Sequence, residues 1–189
     1  MTEKTFGIMG HFHRAAFAVG LDYMLIGGFA ASYWGTPRFT ADVDYVIENS
    51  SFEKASKVVL ELEYELVFLH PKMSFAHFAK KDQTGFRLDF MLVDQETWQK
   101  LRQDVRFADL GEAESYPMVS PLHLIAMKLH AAKQPDRQDF YKDLNDIAEI
   151  LLAQNITIED LEHSGIIDRH GTEKTITQLR SILQSKRHV

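Results

Sequence analysis

Apolar positions along this 189-residue chain change their spacing, and the changes mark out helices and strands. Near the N-terminus Phe6, Met9, Phe12, Ala16 and Val19 recur at close to helical spacing. This predicts an amphipathic helix over 4–19 with Gly20 as its stop. Tyr23–Ile26 is a short apolar strand, broken by Gly27-Gly28, and a short helix is expected over 29–34. The next strand is expected over 40–47. Ser50-Ser51-Phe52-Glu53 has capping-box spacing ahead of a helix to about Leu62. Strands are expected over 64–69, 75–80 and 86–93, with a turn at 82–85 between the last two. A helix over 95–103 follows, then a short strand or loop to Ser120.

Beyond Val119 the pattern becomes helical throughout. Pro121 opens a helix to about Lys133, Pro135-Asp136 a second to about Ala153, and Thr157 and Thr172 stand as caps of two more. A mixed first part followed by a helical last part predicts an α+β fold. We expect a small mixed β-sheet with flanking helices over 1–119 and a C-terminal helical subdomain over 120–189.

Composition narrows the setting. Apolar residues make up 45% of the chain, enough for a real core, and the formal charge is −6. Such a balance argues against broad non-specific nucleic-acid binding, though not against a local basic cleft. Cysteine is absent, which removes disulfides and thiolate metal sites and suits a reducing compartment. No apolar run approaches the roughly 20 residues of a membrane span, and no basic segment precedes an apolar one at the N-terminus. The expectation is a cytoplasmic protein without a membrane partner.

The candidate chemistry lies in "IGGFAASYWGTPRFTADVDYV", residues 26–46. Alternate residues of a strand share a face, so Asp42 and Asp44 point the same way with Cα atoms roughly 6.5 Å apart. Two like charges side by side call for a positive partner, and a hard divalent cation such as Mg²⁺ suits paired carboxylates. "RLDFML" places Asp89 in another strand. If that strand lies beside the first, Asp42, Asp44 and Asp89 converge and can hold two ions, the arrangement used in phosphoryl displacement. In that geometry Asp89 could also act as general base toward an attacking hydroxyl. Gly27 and Gly28, between a strand and a helix, would present backbone N–H groups to a triphosphate. Ser32 could add a hydroxyl contact, and Arg38 is placed to meet phosphate charge.

Gly-Gly, a gap of thirteen residues and then Asp-x-Asp among apolar residues resembles the signature of the polymerase-β-like nucleotidyltransferase superfamily. The local form is similar to its small prokaryotic branch, which includes the AbiEii-type toxins. The likeness continues more weakly through "RLDFML" and "LHLIAMKLHAAKQPDRQDFYKDLNDIAEIL". It implies that Lys128 contacts the nucleotide phosphates and that Asp143 supports the site. It implies Mg²⁺-dependent transfer of a nucleoside monophosphate from an NTP to an acceptor hydroxyl on RNA or protein, within a toxin–antitoxin or abortive-infection system with an antitoxin partner. The C-terminal segment is shorter than in the larger toxins of that branch.

Two other classes stay open: a non-catalytic nucleotide- or partner-binding protein on the same fold, and a small-molecule nucleotidyltransferase that acts on an antibiotic. An RNA acceptor would need a basic groove, for which Arg102, Arg106, Lys128, Lys133 and Arg137 are the candidates. Asp139, Asp143 and Asp146 form one acidic helical stripe, which needs nearby cations such as Arg137 or Lys142. The nine histidines show no spacing that completes a zinc set.

Overall fold

Strand alternation builds the first of two compact units, which in the computed structural model comprise residues 1–29 with 39–119, and 30–38 with 120–189. The structure describes residues 3–70, 72, 74–82, 85–110 and 114–186, and side chains from residue 7 onward.

In the first unit, helix α1 (Glu3–Ala18) leads into β1 (Met24–Leu25), and α2 (Gly27–Trp34) starts directly after it. Strand β2 (Asp42–Glu48) is followed by a 3-10 turn at Asn49–Ser51 and helix α3 (Phe52–Glu61). Then come β3 (Tyr64–Leu69), β4 (Phe75–Lys80), β5 (Arg87–Val93), helix α4 (Gln95–Gln103), β6 (Arg106–Asp109) and β7 (Ser115–Met118). These strands form a mixed sheet in the order β3-β4-β5-β2-β1-β7-β6. β2 runs parallel to β5, and β1 parallel to β7; the other pairs are antiparallel.

The period-two pattern decides which side of the sheet is core. Val43, Tyr45, Leu88 and Phe90 are all essentially inaccessible. Phe12 of α1 lies on this face, its ring centroid 4.3 Å from Tyr45, 5.7 Å from Phe90 and 5.0 Å from Tyr23. Met9 and Ala16 are buried with it, as the helical spacing requires.

The second unit is helical: α5 (Pro121–Ala132), α6 (Phe140–Ala153), α7 (Ile158–His163), α8 (Ile166–His170) and α9 (Glu173–Lys186). Residues 30–38, the later part of α2 and the segment after it, belong to this unit. No helix of the described residues is long and apolar enough to cross a membrane.

The mixed sheet and helical remainder match the α+β expectation; several local expectations do not hold. Val19 is exposed because α1 ends at Ala18 and the chain turns through Gly20 at φ +60°. Helix α2 begins at Gly27, not after the glycine pair. The capping box at Ser50–Glu53 does not form: Ser51 is already in a helical conformation, so its hydroxyl caps nothing. Strands β6 and β7 are more regular than the expected strand or loop. Helix α6 starts at Phe140, because a turn brings the Arg137 side chain onto Asp143. In a continuous helix, residues six apart would stand about 240° apart around the axis. Helix α8 was not foreseen. The side chain of Phe6 and residues 83–84 of the expected turn lie outside the described residues.

Phe12 joins α1 to both parallel strands, so Phe12→Ala is expected to cost about 4 kcal/mol, typical of a buried ring lost from a core. The shift of the urea unfolding midpoint measures it, and a loss under about 1 kcal/mol would mean α1 is not part of the cooperative core.

Candidate active site

β2 and β5 are paired in register, with Asp44 directly opposite Asp89 and Asp42 opposite Arg87. Alternation puts Asp42, Asp44 and Asp89 on the sheet face that α1 leaves uncovered, and all three are partly exposed. The three acids expected to converge therefore stand on one face of two adjacent strands.

Each carboxylate has a partner there. Arg87 grips Asp42 with both arms of its guanidinium, Nε to Oδ1 at 2.5 Å and Nη2 to Oδ2 at 2.7 Å. His77, opposite Asp89 on β4, places Nδ1 2.5 Å from Asp89 Oδ1. With the acid ionised, Nδ1 carries the proton and donates. Burial pushes the Asp89 carboxyl above the ordinary carboxylate range, with the His77 bond and charge pulling against it. Asp44 Oδ2 accepts a hydrogen bond from the Gly28 N–H at 3.2 Å.

The glycine turn is fitted against Asp44. Gly27 sits at φ +62°, and a Cβ there would lie 2.0 Å from Asp44 Oδ2. Only glycine meets both conditions, the left-handed backbone and the close approach. Ile26 N–H also donates to the Asp44 carbonyl at 3.0 Å, so this turn is tied to β2 by main chain and side chain together.

The donor chemistry suits a hard cation: carboxylate oxygens alone, from neighbouring strands. Among the described residues, no group of three His, Asp or Glu is arranged as a metal cage. Their oxygens are directed at Arg87, His77 and the Gly28 amide instead, and Asp42 would have to leave Arg87 to take an ion.

The other candidates belong to the second unit. Lys128 of α5 is buried, with Nζ 3.1 Å from Asp143 Oδ1 and 2.8 Å from Asp146 Oδ2 on α6. Arg38 forks onto Asp146, Nε to Oδ1 at 2.8 Å and Nη2 to Oδ2 at 2.7 Å. Arg137 Nε donates to Asp143 Oδ2 at 2.8 Å. Three cations thus neutralise the acidic stripe of α6. Ser32 is buried; its hydroxyl donates to the Arg38 carbonyl at 3.0 Å and accepts from the Arg38 N–H at 3.3 Å, which fixes the turn carrying that arginine. Thr36 and Lys186 both bond Glu149, holding the same segment and α9 to α6.

Sequence reasoning singled out neither His77 nor the clasp of Arg87 on Asp42. The hairpin turn expected at 82–85 was the available signal for His77. A slip of one residue in register would have turned that ring to the opposite face, so strand spacing alone could not settle it.

No protein-family model and no curated protein sequence matches the chain. Solved structures do. The antibiotic-resistance factor ANT(2'')-Ia matches over 100% of both chains at 14% identity, with a TM-score of 0.66. The chain has a nucleotidyltransferase fold. The lincosamide antibiotic adenylyltransferase LnuA, with lincomycin bound, matches over 83% of this chain and 98% of its own at 13% identity and a TM-score of 0.54. A nucleotidyltransferase-like protein from Paracoccidioides brasiliensis covers 93% of this chain and 91% of its own, at 16% identity and a TM-score of 0.53.

Gly27→Ala is expected to destabilise the protein by about 2 kcal/mol or more, because backbone strain and the Asp44 clash act together. Gly7→Ala, where nothing lies within 4 Å of the added carbon, serves as the control in the same thermal melt. The second unit carries a pH signature. Burial alone would raise the Asp146 carboxyl, but Arg38 and Lys128 hold it below the ordinary aspartate value. Its contribution is therefore complete above the ordinary aspartate range and is lost as pH falls through the lowered folded value. Asp146→Asn should lose about 3 kcal/mol at neutral pH, and its gap to wild type should close below about pH 4. A gap that ignores pH would show that charge is not what joins α5 to α6.

Proposed function

We propose that the protein is a Mg²⁺-dependent nucleotidyltransferase that moves a nucleoside monophosphate from an NTP to an acceptor hydroxyl. The observation that carries this reading is the placement of Asp42, Asp44 and Asp89 on one open sheet face, with the Gly27 turn against Asp44, in a nucleotidyltransferase fold.

Asp42, Asp44 and Asp89 would hold the ions, two across three converging carboxylates. A bound Mg²⁺ would neutralise phosphate charge and orient the α-phosphate. The acceptor oxygen bonds to the α-phosphorus, the bond from that phosphorus to the bridging oxygen breaks, and pyrophosphate leaves with the electron pair. Asp89 takes the hydroxyl proton and passes it to water. His77 keeps the Asp89 carboxylate turned to the open face. The Gly27–Gly28 turn would lie along the triphosphate. Lys128, Asp143, Arg38 and Ser32, read from the sequence as nucleotide-supporting residues, would act through the ion-pair framework they form in the helical unit. Catalysis would come from positioning and electrostatics, as in phosphoryl transfer generally.

The motif's likeness to the AbiEii-type toxins extends the proposal to an acceptor on RNA or protein, in the cytoplasm and under the control of an antitoxin. An antibiotic acceptor is the second reading, favoured by the full-length likeness to ANT(2'')-Ia. Incubation of each NTP, radiolabelled at the α-phosphate, with Mg²⁺ and either tRNA, total protein or an aminoglycoside mixture tests both. Wild type should label one acceptor pool, and Asp44→Asn should reduce the label by about 100-fold or more. NTP binding without transfer to any pool would favour a binding protein over an enzyme.

A further inference from the structure

The first unit carries a cavity of about 330 Å³ between α1, α4 and the strands β1, β6 and β7. None of the three carboxylates and neither turn glycine lines it. Its volume falls within the range of small-ligand clefts, roughly 300–1,000 Å³.

The inner wall is apolar. Leu21, Met24 and Trp98 line the cavity and are almost wholly buried. His13 Nδ1 and the Tyr23 hydroxyl, 2.8 Å apart, spend their facing polar atoms on each other. Phe17 and Phe107 also line the cavity, yet they are 82% and 66% exposed. Two large rings left in water beside an apolar hollow mark a surface that a bound apolar group would cover.

The mouth has two poles. Asp22 and Arg102 both line the cavity, with Arg102 Nη1 3.3 Å from Asp22 Oδ2. Their side chains are 67% and 52% exposed, so this single contact holds them weakly. An uncharged apolar ligand would gain nothing from the pair. A simple anion or cation would meet one favourable charge and one unfavourable charge. A molecule with an ammonium beside a carboxylate meets two favourable ones.

We propose that this cavity is a second ligand site, for a small zwitterion with a large apolar group, of which an aromatic amino acid is the simplest example. The apolar group enters between Phe17 and Phe107 onto Trp98. The carboxylate takes the Arg102 guanidinium, and the ammonium meets Asp22. The proposal stands apart from the nucleotidyl-transfer reading and does not depend on it.

The chain has two tryptophans, Trp34 and Trp98, so a ¹H–¹⁵N correlation spectrum holds two indole signals, which Trp34→Phe assigns. The ¹⁵N-labelled protein is titrated with unlabelled L-tryptophan, with tryptamine, which lacks the carboxylate, and with indole-3-propionate, which lacks the ammonium. The Trp98 signal should move with tryptophan at a dissociation constant of about 1 mM or tighter, while the Trp34 signal stays. Each analogue should bind about tenfold more weakly. Arg102→Gln should weaken tryptophan about tenfold without weakening tryptamine, and Asp22→Asn should do so without weakening indole-3-propionate. Both substitutions are at exposed side chains, and the remaining signals report an intact fold. A Trp98 signal that stays still at about 10 mM tryptophan would overturn the proposal. Equal affinity for all three ligands, or tryptophan affinity unchanged in both variants, would do the same, because the two poles would then play no part.

Discussion

The parallel pairing of β2 with β5, with Asp44 opposite Asp89, is the constraint on which the first unit depends. One register sets both faces of the sheet. On one side it stacks Tyr45 against Phe90 beneath Phe12, with ring centroids 4.3–5.7 Å apart. On the other it lines up three carboxylates at an open surface. A shift of one residue would drive the acids under α1 and expose the aromatic rings. The burial that stabilises the unit is thus the same event that assembles its candidate chemistry, and neither can change register without the other.

Charge is handled differently in the two units. On the sheet face the acids are partly exposed and their partners are replaceable: an Arg87 fork, a histidine ring and a main-chain amide. Groups held this way can be released when a better ligand arrives, because water already shares the cost of leaving them unpaired. In the helical unit Lys128 is enclosed between Asp143 and Asp146, with Arg38 and Arg137 closing the series. Removing one member there takes a partner from a buried, mutually paired cluster, a larger penalty than the same loss at an exposed surface. That difference suits an adaptable site on the sheet and a fixed framework in the helices. Arg38, held by Asp146 and by the Ser32 hydroxyl, ties the segment after α2 into that framework.

Much of the architecture was legible because local rules and packing agree. The spacing of Met9, Phe12 and Ala16 foretold a buried helix face, and the alternation around Val43 and Tyr45 foretold a strand with one core side. Pro121 and Thr157 marked helix starts that the structure keeps, the latter with a complete capping box to Asp160. The expectations that failed lay where tertiary contact overrode a local signal. The turn before Ser51 was already helical, so the capping box found no use. The pull of Asp143 on Arg137 delayed the start of α6. Val19 had helical spacing, but the chain had turned away at Gly20.

The sequence by itself determined the kind of groups at the site and the face they share. Asp42 and Asp44 must point one way because a strand has a period of two, and a glycine pair must sit where the chain turns tightly. What only the tertiary structure decided is who meets whom. Asp89 stands opposite Asp44, His77 reaches Asp89, Arg87 clasps Asp42 rather than its neighbour in sequence, and Lys128 lies between two aspartates of the next helix. Those pairings link residues 12 to 45 positions apart on this sheet face and up to 108 apart in the helical unit. No local periodicity encodes such contacts; they follow from strand order, register and helix packing, which are settled by burial summed over the whole unit.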